Sequence, residues 1–446
     1  MRDPQTLRAA DLAASEATAI QVGPLTILGR ILLVAVIPLS LIWLPVGRIP
    51  GGGNVSAGDV AQVGLWVLSA TALLVHGDAE MDVRAPVIAV LAVVIGLLAG
   101  VGAQLTFLDG KGLWFEAAMF MKRFGLAAIV PLASALFGSR STGSWIRLAS
   151  FVMICVLFAF TLDPSLQDSL PRPDDYDADV FASLGRATGS VTNPNDFAYA
   201  SVSLFILHAS FLPRRPRFWD RLVLVVALAL AATCLASTGS RSGVVGAAGA
   251  LAFVVLTSRI RIAVKMALVA TAWIGVVIGL SYSSVFERRL QKAYHEGFNE
   301  ENVYARVQMQ VLAVKTAASH PYGVGYMNFS RATARDGAWL EYGTADSVYF
   351  DTLLGAGFVG LLALLALFRS AWMFVSRARP PDDPRGHFIK AGLVAFFLFG
   401  AATVVPISNF LAPLFFSLVG AAEHIDGADG DEESADEDDD AEAEVA

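Results

Sequence analysis

Residues 85–107 read APVIAVLAVVIGLLAGVGAQLTF and contain no charged side chain. A helix needs about 20 mostly apolar residues to cross the hydrocarbon core of a bilayer, so this run is long enough to span a membrane. It is also too long and too continuous for a strand of a porin-type barrel, in which apolar residues alternate over segments of about 10 positions. The run therefore predicts a transmembrane helix.

The whole chain has the composition of a membrane protein. Of its 446 residues, 55% are hydrophobic and 16% are charged, whereas roughly 25% are charged in soluble domains. Such a composition excludes a soluble enzyme, a disordered chain and a nucleic-acid-binding protein. The apolar runs predict an all-α integral membrane protein with about twelve transmembrane helices. The predicted spans are residues 26–45, 60–76, 85–107, 113–138, 145–162, 196–213, 219–237, 240–257, 261–281, 346–369, 387–405 and 406–420.

Two long polar segments interrupt the spans, at residues 163–195 and 282–345. In the second, Asn299 can cap a helix that ends near Ser319. Four valines fall on one face of this helix at helical spacing: Val303, Val307, Val311 and Val314. The predicted organisation is an N-terminal segment at 1–25, nine spans at 26–281, a large partly helical loop at 282–345, three spans at 346–420 and a tail at 421–446.

The charges are distributed unevenly along the chain. From Glu423 to Glu444 there are 13 acidic residues and no lysine or arginine, and the rest of the chain has 27 acidic and 32 basic residues. The dense like charge of the tail predicts a disordered segment. Arginines and lysines of short loops collect on the cytoplasmic side of membranes. Their positions predict that both termini are cytoplasmic and that residues 282–345 lie outside.

Charged residues near a bilayer are candidates for function because burying them is costly. Arg241 lies in the turn Ser237–Gly243, whose small residues leave backbone amides open to an anion. The alternative is an arginine that extends from a helix end toward water. Arg306 lies in the predicted external helix, where an exposed arginine without a specific role is equally consistent with the pattern.

Asp346 opens an apolar run directly after the long loop, so it is either a helix cap, a catalytic carboxylate or both. Lys122 and Arg123 lie within the fourth predicted span. Glu116 precedes Arg123 by seven residues, about two helical turns, so the two would share a face. A neutralised Glu116–Arg123 pair and a Lys122 that contacts an anionic lipid both remain open.

Four short motifs follow one another between about residues 190 and 362. They are Asn193-Pro194-Asn195-Asp196, Ser240-Arg241-Ser242-Gly243, Arg306 followed by His320-Pro321-Tyr322-Gly323-Val324-Gly325-Tyr326-Met327-Asn328-Phe329, and Asp346-Ser347 followed by Gly357 and Gly360. In order and spacing they resemble the O-antigen ligase and O-antigen polymerase superfamily of bacterial envelope glycosyltransferases. The ligases carry histidine where this chain has Asp346, and this difference favours a polysaccharide polymerase of the same fold.

The resemblance implies a multi-pass protein of the bacterial inner membrane that transfers a glycan from a polyprenyl-diphosphate donor to a hydroxyl of an acceptor glycan or lipid. Arg241 and Arg306 would stabilise charge on the departing diphosphate, and Asp346 would act as the base of an inverting displacement. Further substrate-binding candidates are Ser240, Asn193, Asn195, Lys122, Arg123 and Tyr349. We expect no cofactor and no metal, since no DxD-type motif lies in a plausible place.

Two alternatives remain at this stage. The first is an O-antigen ligase that acts on lipid A-core. The second, from a different class, is a secondary transporter or flippase with twelve helices. We find no repeat of one half of the chain in the other, as many such transporters have, and a 64-residue outer loop with its own helix is unusual for a carrier. The enzyme is therefore the favoured interpretation.

Overall fold

The structure is a computed structural model and is mostly helical. It describes residues 23–42, 44–48, 54–75, 82–107, 112–163, 166, 193–213, 216–282, 301–326, 328, 331–332, 347–378, 383–401 and 411–424. Asp346, most of the segment 163–195 and nearly all of the acidic tail therefore lie outside the described residues.

The described elements follow the predicted spans closely. In chain order they are α1 (Pro24–Leu41), β1 (Pro45–Arg48), β2 (Asn54–Ser56), α2 (Ala57–Val75), α3 (Arg84–Phe107), α4 (Gly112–Phe120), α5 (Val130–Phe137), α6 (Arg140–Leu162), α7 (Pro194–Ser210), α8 (Phe218–Ser237), α9 (Arg241–Thr257), α10 (Ile262–Tyr282), α11 (Glu301–Ser319), α12 (Val348–Ala378), α13 (Pro384–Gly400) and α14 (Leu411–Gly420). A helix overlaps each of the twelve predicted spans.

Not every predicted span corresponds to a helix that is long enough to cross a membrane on its own. Among the described residues, six helices are long and apolar enough to cross a membrane, namely α1, α2, α3, α6, α8 and α12. Shorter apolar helices lie at 126–137, 241–257, 262–278 and 411–423. The chain is thus a helical, multi-pass membrane protein, and the number of twelve crossings stays a prediction.

The fourth predicted span, 113–138, is not a continuous α-helix. After α4 the backbone forms a π-helical turn over Met121–Gly125 and a 3-10 turn over Leu126–Ile129 before α5 begins. Pro131 offers a physical reason, because its ring lacks an N–H and would clash with the carbonyl four residues earlier in a regular helix. Glu116 lies in α4 and Arg123 in the π-helical turn, so the shared face expected for these two residues stays a prediction.

One short β-hairpin interrupts the otherwise helical described residues, and the sequence analysis had not predicted it. Strands β1 and β2 form an antiparallel hairpin in the register Pro45↔Ser56, Gly47↔Val55 and Arg48↔Asn54. The sequence holds a signal for it, since valine-containing segments flank the turn-forming run Pro50-Gly51-Gly52-Gly53. The hairpin connects α1 to α2, and the Lys122 ammonium donates a hydrogen bond to the Asn54 carbonyl oxygen.

Three helices, α7, α9 and α13, meet at one end of the bundle. Ala198 of α7 packs against Gly243 of α9, and the Tyr199 ring stacks on the Phe399 ring of α13 with centroids 5.2 Å apart. Since α7 and α9 begin where α13 ends, we call this end of the bundle the site end.

Helix α11 matches the helix predicted in the long loop, but a different face packs. Met309, Ala313 and Ala317 are buried, whereas Val307, Val311 and Val314 are 44–46% exposed. The small alanines let α11 approach α12 closely, and Ala313 shares a buried cluster with Val324 and Leu354. The valine periodicity therefore indicated the helix without marking the face that contacts the rest of the protein.

Candidate functional site

Polar side chains link the first residues of α7 and α9. Asn193 caps α7, and its Oδ1 accepts a hydrogen bond from the Asn195 N–H at 2.8 Å. Ser240 caps α9, and its Oγ accepts from the Gly243 N–H at 3.1 Å while donating to Asn195 Oδ1 at 2.8 Å. The Ser242 hydroxyl lies 3.2 Å from that of Ser240. We call Asn193, Asn195, Ser240, Arg241 and Ser242 the helix-start cluster.

A tight turn between α8 and α9 positions this cluster. Gly239 adopts a φ of 61°, a left-handed conformation that glycine reaches without steric cost. Thr238 Oγ1 accepts a hydrogen bond from the Ser240 N–H at 3.0 Å. The turn thereby fixes Ser240 as the cap and places Arg241 at the first position of α9.

The electrostatics of the cluster suit an anion. The first turn of a helix carries partial positive charge on its N–H groups, and here two such turns are joined. The Arg241 side chain is half-buried beside them, while Asp196 in the first turn of α7 is buried and is the acidic residue of that turn. Within the described ranges, no group of three or more histidine, cysteine or acidic side chains could hold a metal ion.

The start of α12 also lies at the site end. The Ser347 hydroxyl is 3.4 Å from the Gly400 carbonyl oxygen at the end of α13, and Asp351 Oδ2 accepts from the Ser347 N–H at 3.2 Å. The Tyr349 hydroxyl donates to the Phe397 carbonyl oxygen at 3.0 Å, which holds α12 on α13. A substrate-binding role for Tyr349 stays a prediction, as does the role of Asp346, which precedes Ser347 outside the described residues.

The long loop docks into a break in α12. At Gly357 the backbone leaves helical geometry, with φ 71° and ψ −170°. The Leu354 and Gly355 carbonyl oxygens accept hydrogen bonds from the N–H groups of Val324, at 2.8 Å, and Gly325, at 2.9 Å. In return the Phe358 N–H donates to the Pro321 carbonyl oxygen at 3.2 Å. We call Pro321–Gly325 together with Leu354–Phe358 the glycine junction.

Side chains of α3 and α4 anchor the same loop. Thr106 Oγ1 donates to the Gly323 carbonyl oxygen at 3.1 Å, and Asn328 Nδ2 donates to Glu116 Oε1 at 3.0 Å. The Tyr326 hydroxyl lies 3.2 Å from Thr352 Oγ1, and burial raises the pKa of this phenol well above its usual range. Tyr326 is therefore neutral at physiological pH and contributes to packing.

The sequence had not predicted the contact between Glu116 and Asn328. A Glu116–Arg123 pair was one of two interpretations and stays a prediction, since the Arg123 side chain lies outside the described residues. Two features of the sequence bear on this contact, an acidic residue inside an apolar run and an asparagine in a glycine-rich motif. Neither feature identifies its partner without the fold.

Two further predicted residues belong to elements other than α7 and α9. Arg306 is half-buried on α11, on the same side as Ala313, which follows it by about two turns. Lys122 donates a hydrogen bond to the Asn54 carbonyl oxygen of the hairpin, and its substrate-binding role stays a prediction. Among the predicted residues, the structure thus brings Asn193, Asn195, Ser240 and Arg241 together.

Comparison with known proteins gives one informative match. No curated protein matches the chain. Residues 200–365 match a protein-family model described as O-antigen ligase. The matched segment begins after Asn193 and Asn195, and it includes Arg241, Arg306, Asp346 and Gly357. About a third of this helical membrane protein is therefore similar to the O-antigen ligase family, and the similar segment carries two of the predicted site arginines.

Proposed function

We propose that the protein is a polysaccharide polymerase that transfers a glycan from a polyprenyl-diphosphate donor to an acceptor sugar hydroxyl at the site end. The observation that carries this proposal is the hydrogen bond from Ser240 to Asn195. It joins the starts of two helices, whose first N–H groups carry partial positive charge, and Arg241 is the first residue of one of them. A diphosphate is the anion that such an arrangement suits.

The proposed reaction is a single inverting displacement. The acceptor hydroxyl oxygen attacks the anomeric carbon of the donor, and the bond between that carbon and the diphosphate oxygen breaks. The bonding electrons leave with the diphosphate, whose growing charge Arg241 and Arg306 stabilise. Asp346 accepts the proton of the attacking hydroxyl. The leaving group needs no proton, so one base and two cations suffice.

The packing of α11 on α12 supports a role for Arg306. Pro321, just after α11, bonds to Phe358, and Ala313 packs with Leu354. Earlier residues of α11 therefore lie toward earlier residues of α12. By this direction Arg306 lies toward the start of α12, where Ser347 contacts Gly400 at the site end.

We expect Arg241→Ala or Arg306→Ala to lower glycan transfer by roughly ten- to more than a hundredfold. Each change removes a charge-assisted contact of about 1.5–3 kcal/mol. Lysine at either position should restore only part of the rate, because it lacks the bidentate geometry of arginine. The measurement is turnover by the purified full-length protein with a defined polyprenyl-diphosphate glycan.

The matched control for this pair is Arg331→Ala. Arg331 is an exposed arginine of the same loop, and its guanidinium lies over the Phe107 ring at 4.2 Å from the centroid. It carries the same charge, so a general effect of charge would appear in this variant too. Full activity of both Arg241→Ala and Arg306→Ala would contradict the assignment.

The second candidate function is ligation of a finished glycan to lipid A-core, which the description of the matched family favours. The two functions differ in the acceptor. A polymerase lengthens chains when its donor carries single repeat units, whereas a ligase requires the core lipid. Supplying each acceptor separately to the purified protein distinguishes them.

The proposal places the site end outside the cytoplasm. Ser319→Cys, at the end of α11, and Thr257→Cys, at the opposite end of α9, are both at exposed positions. In a variant lacking Cys155 and Cys234, we expect a membrane-impermeant thiol reagent to label position 319 in intact spheroplasts and position 257 only after lysis. The reverse labelling would place the site on the wrong side for a periplasmic transferase.

A further inference from the structure

A cleft of about 790 Å³ lies at the end of the bundle opposite the site end. Its walls come from the last turn of α7, the beginnings of α8, α10 and α13, and the loop before α10. Helix α7 has 17 residues, so the cleft is about 25 Å from the helix-start cluster. The cleft therefore takes no part in the chemistry proposed above.

The floor of the cleft is apolar. The side chains that form it are Leu212, Leu224, Ile260, Val264, Leu268 and Phe388. Val264 is 45% exposed, and the neighbouring Ile262 and Met266 on α10 are 72% and 61% exposed. In a membrane these residues of α10 face hydrocarbon. The floor is therefore continuous with the surface that acyl chains contact.

The rim of the cleft carries net positive charge. Arg385 bonds Asp383 through Nε at 3.0 and 3.1 Å, and both side chains are nearly inaccessible, so this pair is neutral overall. Nearby, Arg147 is paired with Asp220 at 2.8 Å. Arg221 and Arg261 also line the cleft. They are exposed and have no acidic partner within the described part of the chain.

We propose that this cleft binds one anionic phospholipid from the membrane leaflet at this end of the protein. Arg221 lies on α8 and Arg261 directly precedes α10, and they hold the phosphate between them, since guanidinium groups bind phosphate oxygens in fixed bidentate geometry. The acyl chains lie on the apolar floor beside Val264. Basic pockets between helices on the cytoplasmic side of membrane proteins bind anionic head groups by the same chemistry.

The test is native mass spectrometry of the full-length protein in detergent, titrated with phosphatidylglycerol or with phosphatidylcholine of the same acyl chains. We expect one tightly bound phosphatidylglycerol and no retained phosphatidylcholine. The double variant Arg221→Ala/Arg261→Ala should weaken phosphatidylglycerol binding about thirtyfold, because each arginine near an anionic lipid contributes roughly a factor of five. The control double variant Arg369→Ala/Arg377→Ala removes two exposed arginines elsewhere on α12 and should change binding less than twofold.

A third variant, Val264→Trp, fills the cleft and keeps both arginines, and it should also lose the bound lipid. It remains informative if the double alanine variant does not fold, which a melting curve without added lipid would show. Two outcomes overturn the proposal: equal retention of the two phospholipids, or equal weakening by the two double variants. None of these readouts depends on glycan transfer.

Discussion

Asp346→Asn is expected to lower turnover by about a hundred- to ten-thousandfold while leaving donor binding intact. This range is the usual contribution of a positioned general base. Asparagine has nearly the same size and still caps a helix, so the variant removes the proton acceptor and keeps the local structure. Turnover and donor binding, measured separately on purified protein, would show the two effects.

The control for this experiment is Asp351→Asn in the first turn of α12. Asp351 accepts a hydrogen bond from the Ser347 N–H at 3.2 Å, and an amide oxygen can accept the same bond. We expect a lower melting temperature with most of the turnover retained. Full activity of Asp346→Asn would end the general-base assignment, and the similarity of residues 200–365 to O-antigen ligases would be unaffected.

The second large effect is expected for Gly357→Ala. A Cβ atom at this position would lie 2.2 Å from the Pro321 carbonyl oxygen, and φ is 71°. With ψ of −170° this backbone conformation is essentially restricted to glycine and costs other residues about 1–3 kcal/mol. The clash would also break the bond from the Phe358 N–H, for a further loss of roughly 1 kcal/mol. We expect a marked fall in melting temperature and proteolysis near residues 321–325.

Gly47→Ala provides the matched control, because a Cβ at this position of β1 meets nothing within 4 Å. It makes the same chemical change in open space, so it should melt like the unchanged protein. If Gly357→Ala had the same melting temperature as Gly47→Ala, the glycine junction would not require glycine at position 357.

The length of the apolar runs carried most of the fold prediction. A helix overlaps every predicted span because hydrophobicity over about 20 residues is a strong and local signal. The π-helical and 3-10 turns over 121–129 were missed because composition does not report which carbonyl a given N–H bonds to. The spacing of the α11 valines predicted that a helix forms there. It did not predict which face packs, because the buried residues of that face include the small alanines Ala313 and Ala317.

The sequence could predict only those parts of the site whose residues are close together along the chain. Ser240 and Arg241 adjoin in sequence, and their resemblance to a family motif marked them before the fold was known. The bond from Ser240 to Asn195 joins residues 45 positions apart, so its existence depends on how α7 packs against α9. Lys122 is a predicted substrate ligand because it lies in an apolar run, and its hydrogen bond to Asn54 depends on a hairpin that the sequence analysis had not predicted.

The glycine junction has a consequence for biosynthesis. A helix in lipid must satisfy all its backbone groups internally unless protein covers the break. Around Gly357, bonds to residues 321–325 satisfy the Leu354 and Gly355 carbonyls and the Phe358 N–H. The ribosome makes residues 321–325 before α12, so this partner already exists when α12 enters the bilayer. The loop should therefore cross the membrane before α12 reaches its final position in the bundle. The crossing of the loop should limit the rate of that last step.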